Sequence, residues 1–163
     1  MNRTVLTALA IAGICIGVAA ARPQGIGLGL MAGEPTGLSV KAWTGPHIAL
    51  DAGLGYSYWW HGQALQVHGD VLWHTRSLTQ SGDGYLPLYI GVGARVKLAD
   101  EKHEHPDMRV GLRIPFGLEY VFASVPVGLF LELVPVFDLT PETGLSGNSA
   151  IGFRYYFSGS SQD

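Results

Sequence analysis

From Gly25 onward, bulky apolar residues alternate with small or charged ones, and the alternation restarts after turn signals at Gly33-Glu34-Pro35, Thr44-Gly45-Pro46 and Ser81-Gly82-Asp83-Gly84. A period of two with Gly/Pro/Asp punctuation predicts strands. Eight are expected, near residues 25–32, 36–43, 47–57, 64–75, 85–98, 107–122, 125–138 and 147–157. No stretch holds a 3.6-residue period long enough to compete as a helix, so the chain reads as all-β. Short links between successive strands favour an antiparallel up-and-down order.

The two faces of this pattern differ sharply. One carries Leu28, Leu30, Leu38, Val40, Leu50, Leu54, Val67, Val71, Ile90, Val92, Leu112, Leu118, Leu129, Leu131, Ile151 and Phe153. The other carries glycines and a limited set of ionisable groups: Lys41, Asp51, His68, Asp70, Arg95, Lys97, Arg109, Arg113, Glu119, Glu132 and Arg154. Two eight-stranded closures fit, with opposite faces outward. A soluble lipocalin-like barrel buries the apolar set around a hydrophobic ligand, whereas a transmembrane β-barrel turns it to lipid and lines its lumen with the polar set. The polar face decides. It is too rich in glycine and too poor in Lys, Glu, Asp and Thr for a soluble exterior, and its charges are mixed in sign, as suits a narrow lumen plugged by ion pairs. Most segments reach the roughly 9–11 residues that a tilted strand needs to cross a bilayer. Aromatic residues gather toward strand ends, among them Trp43, Tyr56, Trp73, Tyr85, Tyr120, Phe137 and Tyr155, as expected at a membrane–water interface. The expectation is an all-β, eight-stranded antiparallel up-and-down transmembrane β-barrel.

Composition agrees. The 163-residue chain is 47% hydrophobic and only 14% charged, and its mean hydropathy is +0.22. After the first twenty or so residues no apolar run approaches the length of a membrane-spanning helix. A net charge of -3 and a pI near 6.0 argue against nucleic-acid partners. The amino terminus carries Arg3, an apolar stretch "VLTALAIAGICIGVAA" and Ala19-Ala20-Ala21, the pattern of a cleaved secretory signal over residues 1–21, which leaves residues 22–163 as a single domain. Cys15, the one cysteine, falls in that leader and follows Ile14 where a lipidation signal requires a small residue, so no disulfide is expected in the mature domain.

The chain's last strand, "AIGFRYYF", contains Gly152-x-x-Tyr155-x-Phe157. This looks like the terminal-strand signal by which the outer-membrane assembly machinery recognises its clients. The stretches "GEPTGLSVKAW", "ALDAGLGYSY" and "HGDVLWH" resemble a bacterial family of small outer-membrane barrels of the OmpA/OmpX type, of unknown function, over about residues 25–157. The resemblance implies a fold and a Gram-negative-type envelope rather than an activity.

Candidate chemistry is sparse. His68 and Asp70 share a face with His74, and a His-Asp pair can orient an imidazole for general-base work; since some small outer-membrane barrels modify lipid A, that activity is the enzymatic alternative. A buried hydrogen-bond network with Arg and Lys partners is the preferred reading, and no catalytic residue is assigned. In "DEKHEHPD", His103 and His105 are weak metal candidates on a loop read as solvated charge. Trp59, Trp60 and His61 in "YSYWWHGQ" are candidate outer-loop contacts. No cofactor is expected. The chain is expected to be a monomer in the outer membrane, with lipid and the assembly machinery as partners, and a structural or surface-binding role through loops at 57–63, 99–106 and 139–148. A narrow pore ranks below these, because eight strands leave room only for side chains. One point runs against custom: with both termini periplasmic, the outer connection at 33–35 is very short and the periplasmic one at 75–84 is long.

Overall fold

The computed structural model describes residues 25–57, 64–75, 78, 80–81, 83–99 and 107–157. The leader, Trp59, Trp60, His61, His103 and His105 lie outside the described residues. Eleven strands follow in order: β1 Ile26–Glu34, β2 Thr36–Trp43, β3 Ile48–Ser57, β4 Ala64–His74, β5 Gln80–Ser81, β6 Gly84–Tyr85, β7 Leu88–Ala99, β8 Asp107–Arg113, β9 Phe116–Phe122, β10 Val127–Asp138 and β11 Gly144–Phe157. Among the described residues there is no helix.

All pairings are antiparallel, and each long strand pairs with the next in sequence. The sheet then closes on itself: β1 runs beside β11 from Ile26↔Phe157 to Glu34↔Ser149, while β11 also pairs β10 from Val127↔Tyr155 to Asp138↔Gly144. The result is a ring of eight strand positions, with β8 and β9 sharing one position between β7 and β10. Closure matters because an open edge would present a row of unpaired backbone donors and acceptors.

The expected single strand over 107–122 is corrected to two, β8 and β9, parted at Ile114-Pro115. Pro115 has no N–H to give a ladder, and its carbonyl instead accepts from Gly91 N at 2.8 Å. Pro87 plays the same part on the neighbouring strand position, accepting from Glu119 N at 3.1 Å and separating β6 from β7. The long 75–84 connection is itself partly a hairpin, β5–β6, which pairs with the end of β9 through Gly84↔Phe122 and Tyr85↔Val121. The short connection at 33–35 is equally well built. Gly33 has φ of 139°, a value that favours glycine, and Thr36 Oγ1 both accepts from Gly33 N (3.1 Å) and donates to Gly33 O (2.9 Å). The strand register through this turn is continuous, from Met31↔Gly37 to Ile26↔Ala42.

The faces fall as the alternation predicts. Along β3, exposed Ile48, Leu50, Leu54 and Tyr56 alternate with buried Ala49, Asp51, Gly53, Gly55 and Ser57. Exposed apolar side chains recur on every long strand, and the ionisable ones point inward. The interior is more mixed than glycine plus charge: Met31, Leu72, Tyr89, Phe130, Val134, Val136 and Tyr156 are also buried there. Glycines make room for them. A Cβ on Gly117 would collide with the Tyr89 ring, one on Gly27 with Tyr156, and one on Gly152 with Phe130.

Candidate functional site

The chemistry of the molecule is inside the ring, in a network that spans from the end bearing the termini to the opposite end. Near the termini, Lys41 on β2 is fully buried. Its Nζ donates to Glu119 Oε2 at 2.5 Å, lies 2.8 Å from His74 Nε2, and sits over the rings of Trp43 and Tyr89 at 5.0 and 4.9 Å. The Tyr156 hydroxyl donates to the other Glu119 oxygen. Arg154 on β11 reaches across the ring: Nε donates to Ser39 Oγ (2.9 Å), Nη2 to Asp51 Oδ1 (2.6 Å), and the guanidinium covers the Phe130 ring at 3.8 Å. Fork-like donors of this kind match carboxylates well, and stacking on an aromatic face adds to the hold.

In the middle, Arg113 on β8 gives Nε to both Asp70 oxygens (3.0 and 3.2 Å), Nη2 to Glu132 Oε1 (3.2 Å) and Nη1 to Asn148 Oδ1 (3.4 Å). Tyr89 donates to the second Glu132 oxygen at 3.0 Å. Toward the far end, Arg95 donates to Asn148 (2.6 Å), Asp138 (2.8 and 3.1 Å) and Ser146 (2.7 Å). Lys97 donates to Glu34 Oε1 at 3.0 Å and Ser57 Oγ at 2.7 Å. Positive and negative groups therefore meet pairwise across the interior. That pairing offsets a desolvation cost of several kcal/mol per ion.

All eleven residues expected to form the internal charge network thus lie buried or half-buried, and nine of them have a charged or hydrogen-bonding partner: Lys41, Asp51, Asp70, Arg95, Lys97, Arg113, Glu119, Glu132 and Arg154. The tenth, His68, is buried with Nδ1 unpartnered, and the eleventh, Arg109, is half-buried with Nε unpartnered among the described residues. Asp70 does not orient the His68 ring; it is committed to Arg113. Of the terminal-strand residues, Gly152 lies against Phe130, while Tyr155 and Phe157 pack edge-on with ring centroids 5.0 Å apart.

Sequence reading missed the hydroxyl and amide partners. Tyr89, Tyr156, Ser39, Asn148 and Asp138 were not among the residues expected to form the network. The inward parity of Tyr89 and Tyr156, shared with Gly91 and Arg154, was the available clue. Asp51, His68 and Asp70 also come together, with one ligand-type atom from each within 4.8 Å of the others. In comparison with known proteins, the chain matches no family model, no curated protein and no solved structure.

Proposed function

We propose that this ring is an outer-membrane β-barrel with a plugged polar lumen, which serves a structural or surface-binding role through its outer loops rather than catalysing a reaction. The observation that carries the reading is the inverted polarity: Leu, Ile, Val and Phe stand exposed around every long strand while Lys41, Arg113, Glu119 and Arg154 are almost wholly buried. A soluble protein seldom leaves contiguous apolar patches of more than a few hundred Å² in water. Here the apolar face runs round the whole ring, so a hydrocarbon solvent fits it better than water does.

Dimensions support the same reading. The rungs Ile48↔Trp73 and Tyr56↔Leu65 stand roughly 20 Å apart along the axis at about 3.3 Å per residue and a tilt near 40°. An apolar band of about 25 Å is usual for such barrels. Trp73, Phe157 and Tyr155 lie toward one rim, and Tyr56 and Phe137 toward the other, an arrangement suited to two aromatic girdles. The interior network leaves a pore reading without support, since arginine, tyrosine and carboxylate side chains meet across the lumen.

The test is extraction and refolding. The protein should fractionate with membranes, need detergent to hold β-structure, and migrate differently on gels before and after boiling. Its tryptophan emission should be quenched by lipids brominated on the acyl chain. A chain that stays folded and soluble without detergent would invert the assignment. Deleting residues 58–63 should leave assembly intact if the loops act only in surface contacts.

A further inference from the structure

A small patch on the inner face of β3 and β4 stands apart from the ion pairs around it. Asp51 and Asp70 are direct cross-strand partners, and the next inward pair is Gly53↔His68. Like charges directly opposite each other on a ladder repel, yet both carboxylates are buried here, at 5% and 4% exposure. The imidazole is tightly placed, since a Cβ on Gly53 would collide with the His68 ring. At 5% exposure, its Nδ1 has no hydrogen-bond partner.

We propose that Asp51, His68 and Asp70 form a binding site for a divalent transition-metal ion inside the ring. One nitrogen and two carboxylate oxygens already lie within 4.8 Å of one another. Ligands about 2 Å from a metal sit about 3.3 Å apart, so modest side-chain rotation closes the site. The carboxylates retain capacity: Arg154 takes only Asp51 Oδ1, and Arg113 approaches Asp70 through a single nitrogen, Nε, whereas an ionised carboxylate offers about four lone-pair sites. The two guanidiniums hold the carboxylates in place as outer partners do in metal sites, and their charge limits affinity. Imidazole with carboxylate suits Zn²⁺, Co²⁺, Ni²⁺ or Mn²⁺ better than Ca²⁺ or Mg²⁺. The site depends on the interior alone and stands whether lipid or water covers the outer face.

The test uses the protein purified in its folded form from expressing cells, with His103 and His105 replaced by Ala so that the loop cannot supply a signal. Co²⁺ is added both after folding and during refolding, because a plugged interior loads slowly. The expected result is one ion per chain with a visible ligand-field spectrum, and X-ray absorption showing a single imidazole among oxygen ligands. His68→Phe, which keeps a ring over Gly53, should weaken binding by about tenfold or more. Should that variant fail to fold, the imidazole count on the unsubstituted ligands decides the question. No stoichiometric uptake by either route, two or more imidazoles on the ion, or undiminished binding in folded His68→Phe would each overturn the site.

Discussion

The two ends of the interior are built differently. Toward the termini and the middle, ion pairs are dry: the side chains of Lys41 and Glu119 are both 0% exposed, and those of Arg154 and Asp51 are 1% and 3% exposed. At the far end, Lys97 and Glu34 are 16% and 9% exposed, and Asp138 is 15% exposed. The chemistry is the same, but its consequences differ. A dry charge that loses its partner has nowhere to go, whereas one near the mouth has water within reach. Loss of a partner is therefore expected to cost more among the dry pairs than at the far end.

Glu119→Ala should break this contrast most severely, because it strands Lys41 and takes the acceptor from Tyr156. A loss of about 3–5 kcal/mol is expected, read as the denaturant midpoint of the folded protein in micelles. Leu131→Arg extends the comparison to the outer wall, where Leu131 is 46% exposed. Against lipid it should cost about 2–4 kcal/mol; against water it should cost almost nothing, so the same midpoint in micelles or bilayers separates the two coverings. Gly53→Ala should cost about 1–3 kcal/mol by forcing the His68 ring aside, and pairing it with His68→Ala should recover part of the loss. Lys97→Met, at the mouth, should cost no more than about 1 kcal/mol. A large loss there would erase the distinction between the ends.

Much of this architecture is readable from alternation because a strand has only two faces, so parity alone assigns Asp51 inward and Leu50 outward. The partner of each charge is another matter. Register sets Lys41 opposite Asp51, yet Lys41 bonds Glu119 and Asp51 bonds Arg154. Those partners lie across the lumen, and which strands face each other there is decided by closure and stagger, which no local pattern records. The break at Pro115 was hidden for a related reason. Odd-numbered positions stay inward on both sides of it, from Arg113 to Glu119, so the alternation reads straight through. The roles of Tyr89 and Tyr156 are likewise set by what their hydroxyls reach across the lumen, Glu132 and Glu119, which residue type and parity alone do not record.

The seam between β1 and β11 has a temporal consequence. Ile26 and Phe157 are partners, so β1 waits for β11, more than a hundred residues later in the chain, before its outer edge is covered. Every intermediate that lacks β11 carries two open edges and an incomplete set of counter-ions, because Arg154 arrives with that final strand. Closure of the ring thus depends on β11, and until it pairs, the free edges of β1 and β10 stay open to pairing with another chain.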